Sequence, residues 1–192
     1  MLVILSRKLL AATLAVALCA LAACTNDKAD SETKGPKTRC PAPVGLTSVG
    51  EEIPSCSFEG LDGQLLKLDD LLGKPTVINF WATWCTYCIS EMPALQTVYS
   101  SLGGRVWFLG ADLLNVQGET RGAAQTFQKK TGVKYPLVFD KDGILFAHFS
   151  AGYVLPVTIF VRANGKVAFR QFGPMDVDKL RGLLKSKLGV SA

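Results

Sequence analysis

Apolar and polar residues fall along this chain in short blocks whose period changes several times. Thr76-Val77-Ile78-Asn79-Phe80-Trp81 and Val106-Trp107-Phe108-Leu109-Gly110-Ala111 are compact apolar runs that predict two buried strands. Pro136 to Asp140 predicts a third strand, ended by Lys141-Asp142-Gly143, and Pro156 to Val161 a fourth. Lys166 to Phe172 alternates apolar and polar residues, the mark of a half-buried antiparallel strand, and Ala163-Asn164-Gly165 turns the chain ahead of it. Helical spacing fills the gaps. One helix is predicted from about Cys85 to Leu102, stopping at Gly103-Gly104, and a second from Glu119 to Thr131, stopping at Gly132. Asp176 to Leu188 predicts a third, with Val177, Leu180, Leu183, Leu184 and Leu188 on one face. Ahead of all these, Phe58 to Leu68 predicts a small hairpin around Asp62-Gly63, and Asp69-Asp70-Leu71-Leu72-Gly73 a helical turn. Ile144 to Ser150 fits neither period. Strands alternating with helices, then a hairpin and a closing helix, predict an α/β fold with a mixed central sheet flanked by helices.

The first residues follow a different pattern. Arg7 and Lys8 precede a run from Leu9 to Ala23, 15 residues long and apolar but for Thr13. A membrane span needs about 20. Leu21-Ala22-Ala23-Cys24 resembles the lipobox of bacterial lipoproteins, which implies cleavage before Cys24 and a diacylglyceryl group on its sulfur. An uncleaved short anchor, or an ordinary signal followed by a chance cysteine, is the alternative. The division expected is a signal peptide over 1–23, a lipid-anchored flexible tether over 24–39 and a folded domain over 40–192. The tether is too polar to bury a core. Two acyl chains hold a protein stably on a membrane where one does not. Loss of Arg7 and Lys8 lowers the formal charge from +5 to +3. With no Lys/Arg cluster, that excess gives no footprint for nucleic acid.

Six cysteines then divide by place. Cys19 leaves with the signal and Cys24 carries the lipid. Cys40 and Cys56 remain ahead of the domain. An exported location permits a disulfide between them, which the chain-entropy model values at about 3 kcal/mol; two separate thiols is the other reading. Cys85 and Cys88 lie in Trp84-Cys85-Thr86-Tyr87-Cys88, at a strand-to-helix junction. The first turn of a helix has unpaired N–H groups that favour a thiolate, and the second sulfur sits less than a turn away. Such a pair near a βαβ pattern is a thioredoxin-like redox signal. Cys85 is expected to be the exposed nucleophile, its thiol lowered from the usual pKa of about 8.5. Cys88, more buried, would resolve the mixed disulfide. Half of a zinc site is the competing reading, but zinc takes four ligands and the chain offers one histidine, His148.

Asn79-Phe80-Trp81-Ala82-Thr83-Trp84-Cys85-x-x-Cys88-x-x-Glu91-Met92-Pro93 resembles the active-site block of the extracytoplasmic thioredoxin-like proteins of the TlpA/ResA group. The likeness extends over about Pro54 to Leu188. It implies a thioredoxin-like fold with an N-terminal hairpin and a central αβ insertion between residues 115 and 140. It also implies a membrane-tethered thiol-disulfide oxidoreductase that reduces protein disulfides, such as those of apocytochrome c. Electrons would come from a membrane thiol-electron donor of the CcdA/DsbD kind, with no cofactor beyond the Cys85–Cys88 disulfide. The Cys40 and Cys56 pair looks like a variant found in exported relatives.

Within the block, the resemblance gives Glu91 a part in proton transfer at the buried thiol; a surface helix glutamate is the alternative. Asn79 departs from cytoplasmic thioredoxins, which carry a buried aspartate there. Pro93 sits inside the helix and should kink it. The family has a cis-proline at the place of Pro156, facing the cysteines, which would let Leu155 pair its backbone with a substrate strand. Trp84, Thr86 and Tyr87 would rim the site. Thr86-Tyr87 departs from relatives that have proline beside the second cysteine, and so leaves the direction of electron flow open. An oxidase or isomerase, a peroxiredoxin-like peroxidase, and a copper chaperone using His148 are the other readings.

Overall fold

The computed structural model describes residues 39–152 and 154–192. The expected signal peptide over 1–23, Cys19, Cys24 and the expected tether up to residue 38 lie outside the described residues. Arg39, the last residue of the expected tether, already exchanges backbone N–H···O bonds with Ser57, at 2.9 and 2.7 Å. Beside it a disulfide joins Cys40 to Cys56.

The chain then forms an antiparallel hairpin of β1 (Ser57–Glu59) and β2 (Leu65–Lys67), with Phe58 opposite Leu66. The Asp62-Gly63 turn closes it, Gly63 taking a left-handed φ of +83° that a side chain would strain. A short 3-10 turn at Leu68–Leu71 stands where a helical turn was expected.

The main sheet holds β3 (Thr76–Trp81), β4 (Trp107–Asp112), β5 (Leu137–Phe139), β6 (Val157–Val161) and β7 (Val167–Phe172), in the order β5-β4-β3-β6-β7. β3, β4 and β5 run parallel; β6 is antiparallel to β3, and β7 to β6. This is the thioredoxin-like α/β fold, with a mixed five-stranded sheet and an N-terminal hairpin. All six residues of β3 are buried because helices and loops cover both faces of the sheet, which is why that run shows no alternation.

Residues of β3 take turns between two cores. On one face Val77, Trp81, Phe108 and Phe160 pack with Cys88, Met92, Leu95 and Val98 of α1 (Thr86–Leu102) and with Leu180 and Leu184 of α4 (Val177–Leu188). Ala124 of α2 (Arg121–Thr131) joins the same face. On the other, Ile78, Phe80, Leu109 and Ile159 pack with Phe58 of the hairpin, Leu68 and Leu71, and Leu145 and Phe146 of α3 (Ile144–Ala147). The redox helix and the N-terminal hairpin are thus on opposite sides of one sheet.

Several boundaries differ from the expected ones. β4 runs one residue further than predicted because Asp112 continues the parallel pairing opposite Trp81. The second helix starts at Arg121 rather than Glu119. Thr120 caps it through its hydroxyl, 3.2 Å from the Ala123 N–H. The ambiguous Ile144 to Ser150 segment resolves into the single turn of α3. Pro93 lies inside α1, which continues to Leu102 and ends on Gly103 in the left-handed region. Among the described residues no helix is long and apolar enough to cross a membrane.

Candidate active site

β3 carries the chain to Trp81, and Ala82-Thr83-Trp84 turns it into α1. The Cys85 N–H closes that turn on the Ala82 carbonyl at 3.1 Å. Cys85 is the N-cap residue of α1, and its Sγ accepts the Cys88 N–H at 3.1 Å. The sulfur therefore sits where the first N–H groups of the helix have no backbone partner. The two cysteines are joined as a disulfide, with Cα atoms 5.3 Å apart. Cys88 is fully buried, and Cys85 is only 6% exposed. Cys85 was expected to be exposed and is instead buried, though less completely than Cys88, because it belongs to the core cluster packed under the sheet, while its neighbours Trp84, Thr86 and Tyr87 stand exposed. Tyr87 is 66% exposed, and the Trp84 indole N–H donates to the Val116 carbonyl at 3.2 Å.

One turn beyond Cys88, Glu91 is 2% exposed, which removes the reading as a surface glutamate. Asn79 donates its side-chain N–H to Glu91 Oε1 at 2.6 Å, and Met175 its backbone N–H to Oε2 at 3.1 Å. The same Asn79 nitrogen lies 3.0 Å from Thr158 Oγ1. Burial pushes the Glu91 carboxyl up to about 7, against the opposing pull of the Asn79 and Met175 bonds and the Lys179 charge. A carboxyl held there exchanges a proton near neutral pH. Asn79 is thus more than a departure from an aspartate: it holds the glutamate in place. Met175 was not foreseen, since its N–H arrives from the loop before α4.

The Leu155–Pro156 bond is cis. Phe80 pairs with Val157, so the antiparallel register puts Pro156 level with Trp81, at the end of β3 from which the Cys85 turn departs. Leu155 packs against the core cluster that contains both cysteines. His148 does not join them. It follows α3, where its Nε2 is 2.9 Å from the Pro41 carbonyl and its ring lies against Phe149, in the core of the opposite face. No metal-holding group of three or more His, Cys, Asp or Glu occurs among the described residues.

Three acids behind the turn were not foreseen as site residues. Asp112 ends β4 beside Trp81, is fully buried, and has no hydrogen-bond partner for either carboxyl oxygen among the described residues. Burial, and then the charges of Glu119 and Asp140, push it up to about 8. Asp140 accepts the Leu145 and Phe146 N–H groups at 2.9 and 2.8 Å; burial raises it to about 6 despite those bonds. Glu119 accepts the Thr83 N–H at 2.6 Å and the Thr83 hydroxyl at 2.8 and 3.0 Å. The available signal was positional. Asp112 and Asp140 stand at the C-terminal ends of adjacent parallel strands, the rim where α/β sheets gather function.

A family model described as the AhpC/TSA family matches residues 49–170. The chain belongs to this family. Thiol-disulfide oxidoreductase ResA of Bacillus cereus is 32% identical over 140 residues, spanning 71% of this chain and 77% of ResA. The chain is a ResA-like thiol-disulfide oxidoreductase, with Cys85 and Cys88 as its Cys-x-x-Cys pair. Two solved structures extend the comparison. A secreted Mycobacterium tuberculosis disulfide oxidoreductase, described as homologous to E. coli DsbE, is 29% identical. It covers 66% of this chain and 91% of its own, with a TM-score of 0.57. The exposed lipoprotein thioredoxin of Streptococcus pneumoniae is 26% identical over 67% of this chain and 96% of its own, with a TM-score of 0.58. The ResA-like protein thus has relatives that are secreted or lipoprotein thioredoxins.

Proposed function

We propose that this protein reduces disulfides in protein substrates outside the cytoplasm, held to a membrane through a lipid on Cys24. The observation that carries the reading is the buried Glu91, tied by Asn79 and Met175 one turn beyond the buried thiol of the redox pair. The reaction starts from the dithiol. The Cys85 thiolate attacks one sulfur of a substrate disulfide; that S–S bond breaks, a mixed disulfide forms, and the released substrate sulfur takes up a proton. Glu91 then accepts the Cys88 proton. The Cys88 thiolate attacks Cys85 Sγ, the bond from Cys85 to the substrate breaks, and the second substrate sulfur leaves as a thiolate that takes up a proton from solvent, to which Glu91 returns the one it accepted. Two electrons have passed to the substrate and the Cys85–Cys88 disulfide remains.

Leu155 and Pro156 receive the substrate chain beside the disulfide, and Trp84, Thr86 and Tyr87 form the rim it crosses. Cysteines of an apocytochrome c before haem attachment are the substrate class proposed. A membrane thiol-electron donor of the CcdA/DsbD type returns the pair to the dithiol. The lipobox around Cys24 and the lipoprotein thioredoxin among the relatives support the tether.

Trapping in cells tests this. Cys88→Ser leaves Cys85 able to attack but removes the thiol that releases the product. Dithiothreitol-sensitive complexes between Cys85 and exported cysteine proteins should accumulate, and should vanish in the Cys85→Ser/Cys88→Ser double variant. No trapped protein, from a Cys88→Ser variant whose Cys85 still alkylates, would contradict the proposal.

A further inference from the structure

We infer that Glu119 is a positioning residue, fixing through Thr83 the approach of the chain to Cys85. Thr83 and Trp84 are the two residues ahead of the nucleophile, and both are tied to one turn. Glu119 takes the Thr83 N–H on Oε2 at 2.6 Å and the Thr83 hydroxyl on either oxygen. An ionised carboxylate accepts at both oxygens and can hold N–H and O–H together. The Val116 carbonyl takes the Trp84 indole N–H at 3.2 Å and the Glu119 N–H at 3.0 Å.

That turn is itself over-determined. Asn115, Gln117 and Gly118 all have left-handed φ values, of +69°, +50° and +83°. Side-chain-bearing residues persist there when their surroundings hold them. Asn115 N–H reaches the Glu119 carbonyl at 3.1 Å and its side-chain amide donates to Asp142 at 2.8 Å. Glu119 is 3% exposed, and its charge helps to keep the buried Asp112 protonated. Its contact to the start of α2 is the longer one: Oε1 also takes the Thr120 N–H at 3.3 Å, while the Thr120 hydroxyl caps the helix by accepting the Ala123 N–H. What Glu119 secures is the turn that sets Cys85 at the N-cap of α1. The inference needs only that Cys85 attacks a disulfide, in whichever direction electrons flow in the cell.

The test follows the reduced protein reacting with oxidised glutathione as pH is raised to a plateau, where Cys85 is fully thiolate. A change of charge moves the midpoint of this profile; a misplaced nucleophile lowers its plateau. Glu119→Ala should lower the plateau about tenfold, since small displacements of reacting groups are costly. Glu119→Gln should stay within about twofold, because the amide still accepts the Thr83 N–H and can donate to its hydroxyl. A folded Glu119→Ala with the wild-type plateau overturns the inference, and so does a Gln variant that falls as far as Ala. If Glu119→Ala does not fold, Thr83→Val decides: a lowered plateau supports the role and an unchanged one overturns it. Cys85→Ser must abolish the reaction; residual reactivity there would count against the nucleophile itself, not against Glu119.

Discussion

Glu91→Gln should slow release of the mixed disulfide by about a hundredfold while Cys85 still alkylates at its normal rate, a loss at the lower end of what a positioned acid or base contributes. The residue is buried and its carboxyl is raised to about 7, mainly by burial. Only its ionised form can accept the Cys88 proton. In the wild type, therefore, the release step should rise with pH through a midpoint near 7. In the variant that midpoint should be absent, leaving a rise governed by the Cys88 thiol alone. Gln keeps the Oε1 contact to Asn79 but sets an NH2 against the Met175 N–H, so the deciding readout is the lost midpoint, which a missing hydrogen bond alone would not erase. Single-turnover release measured from pH 5 to 9 checks this; a Gln variant that keeps the wild-type profile would remove Glu91 from the mechanism.

Asp112→Asn should stabilise the protein progressively as pH rises, by on the order of several kcal/mol near pH 8. The unfolded chain releases this proton near the ordinary aspartate value of 3.8, whereas the folded protein holds it to about 8. Between those values the folded state binds more protons, so stability falls as pH rises, and the loss is complete above about 8. Below about 3.8 both states are protonated and the penalty is absent. Asn has no proton to lose. The low-pH value of the variant carries only the cost of the new amide in a site with no partners among the described residues. Glu91 and Asp140 add slopes of the same sign, through about 7 and about 6, to both proteins. The readout is therefore the difference between wild type and variant in denaturant unfolding at pH 4, 6 and 8. A constant difference would contradict a neutral buried Asp112.

Most of the fold was legible because its elements are local. The apolar run of β3, the glycine stop of α1 at Gly103 and the capped amphipathic face of α4 each rest on residues close in sequence. The redox pair was legible for the same reason. What was missed depends on distant partners. Glu119 fits a helical pattern, and only Thr83, 36 positions away, draws it into the site. Asn79 reads as a lost acid until Glu91, 12 positions away, and Thr158, 79 positions away, are seen to share its amide. Met175 acts through a backbone N–H, a group that no side-chain motif records. Cys85 was expected to be exposed because a nucleophile must be reached; that it packs into the core cluster, only 6% exposed, depends on distant residues the motif does not contain.

The reducing direction is tested most directly by the reduction potential of the Cys85–Cys88 couple, read by equilibrating the purified protein in thiol/disulfide buffers. A potential near thioredoxin's, about −270 mV, is expected. A potential near about −120 mV, that of a strong oxidant, would contradict it and make the pair a donor of disulfides instead.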